Sequence, residues 1–477
     1  MTLPDENLKG RRVLVTGATG YIASRLIPRL LDASADVCAT SRSPHALAAR
    51  FPGLETIASD LMDPRSLEST LEGVEVAFYL VHSMDSRDFE ERDRTAARNF
   101  LAAAQRAGVE RIVYLSGLGR ADDRLSSHLS SRHEVGAILA SGSIPVTELR
   151  AAIVIGSGSS AFDMLRYLTE RLPAMIAPRW LATRIQPIAE DDLVSYLIAA
   201  GSEPHPGGIV EIGGSDVVTY REMIHGYARL RHLRRFVMSI PLLTPRLSSY
   251  WVRLMTPVPT SISRPLIDGL ENEVVVTNEV AVTRYPSISP MGYMEAAAAA
   301  LDRQEGSLGE ELSTGLSVPG SRIVVLTDER RIELDVTTDG IASVLADYGG
   351  DASWYPFAWA WTIRRWIDKL LGGGDLSWTR SEGSIIRGSL VDWWKVDVVE
   401  PDALVLRALM KTPGEAWLAF RGERRNGGAT LVQSAVFRPR GILGRLYWWG
   451  LWPFHRPIFA AMARRLAKRV ISRGEPS

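Results

Sequence analysis

Over about the first 310 residues, short apolar runs alternate with amphipathic stretches. Val13–Val15, Val37–Thr40, Thr56–Ala58, Val76–Val81, Ile112–Leu115 and Val146–Leu149 read as buried strands. Between them, Tyr21–Leu31, Pro44–Arg50, Pro64–Leu71, Phe89–Ala107 and Ser131–Ala140 carry the apolar spacing of helices. The strand runs are nearly continuous in apolar residues, as in strands covered on both faces. Alternating strand and helix predict parallel pairing through right-handed crossovers, hence an α/β, doubly wound sheet.

From about Arg322 the rhythm changes. Arg331–Val336 predicts a strand, and Ala358–Leu371 a Trp-rich helix closed by Gly372-Gly373-Gly374. Four runs follow: Ile385–Val399, Ala403–Met410, Ala416–Arg424 and Ala429–Arg438. The turns between them, such as Thr412-Pro413-Gly414 and Asn426-Gly427-Gly428, are too short for crossover helices, so the strands are antiparallel. In the last run Leu431, Gln433, Ala435 and Phe437 share one face, and Val432, Ser434, Val436 and Arg438 the other. A final helix runs roughly from Arg445 to Val470. This is the element order of an α+β helix-grip domain. The expected division is a Rossmann domain over 1–312, a Gly/Ser/Pro linker over 313–321 and the second domain over 322–477.

Charge narrows the function classes. Lys plus Arg number 55 and Asp plus Glu number 55, so the chain lacks the positive excess that nucleic-acid binding needs. Cys38 is the one cysteine, which excludes an internal disulfide and zinc sites built on thiolates. No two of the eight histidines have ligand spacing, so no metal is expected. The start, MTLPDENLKGRR, lacks the apolar segment of a secretory signal. The most apolar long stretch, Ile442–Ala463, is broken by Arg445, Pro453, His455, Arg456 and Pro457. A soluble, cytoplasmic protein is expected.

The first strand runs directly into Thr16-Gly17-Ala18-Thr19-Gly20-Tyr21-Ile22-Ala23, and a helix opens there. Strand, glycine loop, helix and a second strand about 20 residues on is the context of a dinucleotide site. Gly17 permits a tight turn, Gly20 admits a pyrophosphate to the backbone, and Ala23 keeps helix and strand close. After the second strand no acid stands where an NAD ribose is usually held; Arg42 stands there instead. It suits the 2′-phosphate of NADP(H), which is favoured over NAD(H), or it is a solvated loop cation. Asp60 and Leu61, after the third strand, suit an adenine contact; Asp60 equally suits a local turn acceptor.

These residues resemble the short-chain dehydrogenase/reductase superfamily, in its extended and atypical, NmrA-like branches. Ser59-Asp60-Leu61 and the segment Thr183–Leu193 are similar too, and the likeness covers about residues 10–310. The C-terminal half resembles a domain fused to such proteins in bacteria and similar to the START/polyketide-cyclase superfamily. Its motif-like stretches are Val391–Val396, Pro413–Leu418 and Phe437–Gly441 through Tyr447-Trp448.

The superfamily's reductases use a Ser after the fifth strand, then Tyr and Lys four residues apart. Ser116 matches the first position. At the second pair stand His128 and Arg132, on one helix face. The resemblance gives Arg132 the ribose and His128 the proton transfer; His128 is otherwise an ordinary N-terminal helix residue. Tyr114 reads as core. The resemblance also brings Ala151–Gly156 near the nicotinamide and Gln186-Pro187-Ile188 to the substrate edge.

Eleven of the thirteen Trp residues lie after residue 353. They suit a packed core, an apolar cavity holding a small-molecule ligand, or peripheral membrane contact through Tyr447–Phe454 with Arg445 and Arg456. Two functions remain open. One is an atypical NAD(P)H-dependent oxidoreductase acting on an apolar carbonyl or quinone. The other is a non-catalytic NADP(H)-sensing or assembly protein.

Overall fold

The computed structural model describes residues 7–42, 44–82, 88–119, 126–177, 179–204, 206–239, 272–314, 325–350, 384–425, 428–439 and 441–474, with scattered positions between 354 and 369. The chain forms two compact units, Met1–Leu301 and Asp302–Ser477. Of the expected linker, Ser313 and Thr314 belong to the helix Tyr293–Thr314, and the rest lies outside the described residues.

In the N-terminal unit, strands β1 (Arg12–Val15), β2 (Asp36–Ser41), β3 (Glu55–Ala58), β4 (Val76–Tyr79), β5 (Arg111–Gly117) and β6 (Val146–Ala151) alternate with helices. These are α1 (Tyr21–Asp32), α2 (Pro44–Arg50), α3 (Pro64–Thr70), α4 (Phe89–Ala107) and α5 (Ser127–Ala140). A seventh strand, Gly208–Ile212, completes a sheet of order Gly208–Ile212, β6, β5, β4, β1, β2, β3. Every pairing in it is parallel. Successive side chains point to opposite faces, so the inner strands feed two cores. Val13, Val15, Phe78 and Val113 pack with Ala23, Leu26 and Ile27 of α1. Leu14, Ala77, Tyr79 and Ile112 pack with Ala96, Ala97 and Phe100 of α4. Burial on both faces explains why the inner strands β1, β4 and β5 read as unbroken apolar runs.

Helix α5 begins at Ser127, four residues before the expected Ser131, because the Ser126 hydroxyl accepts from Leu129 N at 3.4 Å and caps it. His128 therefore sits in the first turn and Arg132 one turn on.

The C-terminal unit holds a six-stranded antiparallel sheet in the order 326–334, 428–439, 414–425, 403–408, 394–400, 390–391. The expected run Ile385–Val399 is two strands, Leu390–Val391 and Trp394–Glu400, joined at Asp392, whose φ of 56° turns the chain. Among the described residues the unit also holds a helix Thr338–Leu345 and a 34-residue helix Gly441–Gly474, while most of the expected helix Ala358–Leu371 lies outside the described residues. Met462, Leu466 and Val470 of the long helix pack with Leu418, Phe420 and Leu431. The alternation read in the last strand does not separate core from solvent. Val436, on its second face, packs with Leu308 and Leu312, so nearly all of Gly428–Pro439 is buried. Among the described residues no helix is long and apolar enough to cross a membrane.

Candidate functional site

A cavity of about 530 Å³ opens over the carboxyl ends of β1, β4, β5 and β6. This is where doubly wound sheets bind ligands. Its floor is the glycine loop. Gly17 has a φ of 64°, and a Cβ there would stand 2.9 Å from Leu80 O, so only glycine fits comfortably. Gly20 N donates to Gly17 O at 2.8 Å, closing the turn. Gly20 is also the N-cap of α1 and has no side chain to satisfy the first-turn N–H groups. A bare helix N-terminus behind a glycine turn is a fit cradle for a pyrophosphate.

The other loop residues divide by role. Thr16 is buried; its hydroxyl donates to Phe78 O and accepts from Leu80 N, both at 3.1 Å, tying β1 to β4. Ala18 is buried, and its N–H donates to Thr40 O at 3.3 Å, while Thr19 is exposed. Tyr21 and Ile22 line the cavity. The Tyr21 hydroxyl donates to Glu190, which also pairs with Arg25 at 3.3 Å. A Cβ on Gly156 would collide with both Tyr21 and Glu190.

Arg42 is exposed just past β2, and neither Arg42, Asp60 nor Leu61 lines the cavity. The Asp60 carboxylate accepts from Met62 N at 3.0 Å, the geometry of a turn acceptor. Leu61 is in the core against α4. Ala151, Ala152, Ile153 and Val154 line the cavity. Gln186 does not: it donates to Gly214 O at 2.7 Å and accepts from Val276 N at 3.0 Å.

Ser116, His128 and Arg132 line the same cavity as the glycine loop. The Ser116 hydroxyl is buried without a hydrogen-bond partner among the described residues, as is Arg132 Nε. Arg132 Nη2 donates to Leu115 O at 2.9 Å. The Tyr114 hydroxyl donates to Arg132 O at 3.0 Å, and burial pushes its pKa up to about 12, as suits a core residue. His133 points elsewhere, 3.0 Å from Gly117 O.

Two residues of this wall escaped the sequence reading. His82, three residues past β4, places Nδ1 2.8 Å from Asp93 Oδ2 and Nε2 2.9 Å from His128 Nδ1. Asp93, His82 and His128 thus form one hydrogen-bonded chain ending in the cavity. Burial holds the His82 pKa below the ordinary imidazole value, against the pull of Asp93. Burial first, then Arg132 and His82, hold His128 down to about 3. At neutral pH both rings are neutral. Asp93 then fixes the proton on His82 Nδ1, His82 Nε2 accepts, and His128 must donate from Nδ1. Asp93 was detectable: it shares a helix face with Ala96, Ala97 and Phe100, where an acid is out of place. His82 left no comparable signal, since only folding brings it to His128.

The C-terminal unit has its own cavity, of about 330 Å³, between the sheet and the long helix. Trp394, Trp417, Phe437, Trp448 and Phe459 are among its walls. Trp394 Nε1 and His455 Nδ1 are buried there without partners among the described residues. Burial lowers His455 to about 4. The aromatic residues therefore enclose space as well as fill it. Among the described residues no group of three or more His, Cys, Asp or Glu is placed to hold a metal ion.

Residues 17–151 match the NAD(P)H-binding family, and residues 321–462 match the family described as protein of unknown function (DUF2867). The chain is 34% identical over 116 residues to a 3β-hydroxysteroid dehydrogenase/Δ5→4-isomerase of Mycobacterium tuberculosis, covering 22% of this chain and 31% of that protein. It thus spans about a third of the first curated relatives it matches. A ceramide reductase of Caulobacter vibrioides is 24% identical over 48% of this chain and 73% of its own length. An NADPH-dependent quinone oxidoreductase of Escherichia coli, solved with NADPH, shares the fold at a TM-score of 0.50 and 21% identity, covering 60% of this chain and 98% of that one. The parallel sheet, the glycine cradle and the match over residues 17–151 agree on a Rossmann-type, NAD(P)H-binding fold for the N-terminal unit.

Proposed function

We propose that this protein is an NAD(P)-dependent oxidoreductase, preferring NADP(H), that reduces an apolar carbonyl or quinone, with His128 exchanging the proton. The observation that carries this reading is the chain Asp93–His82–His128, which ends in the same cavity as Gly17 and Gly20. Gly17, Gly20 and the N-terminus of α1 would hold the pyrophosphate, Arg42 the 2′-phosphate and Arg132 the ribose. A bound nicotinamide dinucleotide supplies the hydride. The chain's own residues handle the proton and the oxygen.

With one extra proton the relay holds His82 as an imidazolium, donating to Asp93 and to His128 Nδ1, while Nε2 of His128 carries N–H. His128 gives that Nε2 proton to the oxygen developing charge, and His82 passes its own Nε2 proton to His128 Nδ1. The relay returns to the neutral arrangement, one proton lighter, and the oxygen has become a hydroxyl. Ser116 Oγ, buried and without a hydrogen-bond partner among the described residues, would donate to the same oxygen. Reduction should therefore slow as pH rises through a pKa below 6.5, and the reverse oxidation should speed up.

Leu80, Leu115, Leu118, Ile153, Val154 and Met164 give the cavity apolar walls. The steroid and ceramide enzymes among the relatives act on apolar molecules too. We read the C-terminal unit as a START-like helix-grip domain, on the strength of its sheet, long helix and enclosed apolar cavity.

The test is NADPH oxidation against a panel of apolar aldehydes, ketones and quinones. His128→Phe should lower turnover by about 10²-fold, the scale of a lost general acid, and leave NADPH affinity unchanged. Tight NADPH binding with no turnover across the panel would instead mark a sensor. Turnover indifferent to His128→Phe and Ser116→Ala would remove both from the chemistry.

A further inference from the structure

The first half of the long C-terminal helix is apolar on both of its faces. One face carries Trp448 and Phe459 into the domain. The other carries Leu443, Leu446, Trp449 and Pro453, at helical spacings of three and four, with Phe454 beside Pro453, into solvent. Leu443 is 74% exposed, Trp449 59% and Phe454 62%. Trp359 and Ile363 border the same cavity mouth as Phe454, and both are more than half exposed. A soluble surface rarely carries so continuous an apolar stripe without a partner.

Charge identifies the partner. The helix Gly441–Gly474 contains no acidic residue. Arg445 and Arg456 are exposed on one margin of the stripe, and Arg464, Arg465 and Lys468 follow on exposed positions. A second copy of the chain would set this acid-free helix against itself, which like charges oppose. Tryptophan beside arginine on an apolar face is the composition of helices that lie in the plane of a bilayer. The helix does not meet the requirement for crossing one.

We propose that this stripe docks the C-terminal unit onto an anionic lipid bilayer, with Trp449 and Phe454 in the acyl boundary and Arg445 and Arg456 at the headgroups. The cavity mouth beside Phe454 and Trp359 then faces the lipid, where an apolar ligand would be dissolved. This inference stands apart from the redox reading, since it uses none of the nucleotide-site residues.

Co-sedimentation of the full chain with vesicles tests it, using phosphatidylcholine alone and phosphatidylcholine with phosphatidylglycerol. Binding should favour the anionic vesicles, and brominated acyl chains should quench the tryptophan fluorescence. Trp449→Ser and Phe454→Ser should each lower partitioning about tenfold. Arg445→Gln and Arg456→Gln should each lower it about fivefold on anionic vesicles only. All four side chains are exposed, so the fold survives, and quenching of the unaltered protein gives an independent reading. The proposal is overturned if the protein sediments with neither vesicle, or binds without quenching and indifferently to these substitutions. It is equally overturned if the stripe substitutions split a dimer that does not bind vesicles, which would make the stripe a contact between copies.

Discussion

The nucleotide cavity and the long C-terminal helix depart from ordinary burial in opposite directions. In the cavity, polar groups are buried: Asp93 and Ser116 are 4% and 3% exposed. On the helix, aromatic and aliphatic groups stand in water, with Trp449 at 59%. Each departure costs stability, so each calls for a use. Of the buried polar groups, Asp93 is held in a hydrogen-bonded row with His82 and His128, the proposed proton path, while Ser116 has no partner among the described residues. Where apolar groups are exposed, they line up on one face beside cations, the surface proposed to meet lipid. The comparison teaches that the informative residues of this chain are those out of place for their chemistry.

The largest effect should come at the cradle. Gly20 has a φ of −73°, which any residue adopts, but a Cβ there would stand 2.9 Å from Gly17 O. Gly20→Val must therefore shift the turn as well as fill the cradle, and thermal unfolding beside the parent protein checks that the fold survives. The added bulk lies at the N-cap, where a pyrophosphate must approach, and calorimetry should detect no NADPH binding. Unchanged affinity would take the nucleotide away from this loop.

The next effect separates the two kinds of tryptophan. Trp417 is 1% exposed and its indole donates to Asp397 Oδ2 at 3.0 Å. Trp417→Ala should cost about 3–5 kcal/mol in denaturant unfolding, as large aromatic truncations do. The same experiment on Trp449→Ser should show a change within about 0.5 kcal/mol. Equal losses would mean that Trp449 is structural and the stripe is not a docking surface.

A smaller effect tests the cofactor preference. Arg42 is exposed and lies outside the cavity lining, so its role depends on a charged contact alone. Arg42→Ala should weaken NADPH about tenfold, the value of one charge-assisted hydrogen bond, and leave NADH nearly unchanged. Equal losses for both would show that Arg42 does not read the 2′-phosphate.

Most of the parallel sheet was legible in the sequence because its strands are buried on both faces and its helices on one. Phe89–Ala107 was bounded to the residue, and Gly17 and Gly20 stood in a context that few other functions share. The seventh strand, Gly208–Ile212, was not identified; two of its five residues are exposed and it pairs only at the sheet edge with β6. The antiparallel sheet was legible through its turns, but the covering of its second face was not, since Leu308 and Leu312 come from far along the chain. At the site, Ser116, His128 and Arg132 were reached through a family resemblance, and they do meet in one cavity. His82 and Asp93 were not reached, because 46 residues separate His82 from His128 and only the crossover from β4 to β5 brings them together.

The most direct test of the relay needs no substrate. Nitrogen-15 NMR of the histidine rings reports which ring nitrogen carries the proton and how it responds to pH. The row from Asp93 requires that His82 and His128 both carry their proton on Nδ1 at neutral pH. Burial, against the pull of Asp93, should keep both rings neutral as pH falls through 6.5, with His128 charging only toward about 3. Because the unfolded rings would be charged in that window, the N-terminal unit should lose stability as pH falls. Asp93→Asn should shift the His82 signals first and the His128 signals through them. A His128 ring protonated on Nε2 at neutral pH, titrating at the ordinary imidazole value and indifferent to Asp93→Asn, would contradict the relay.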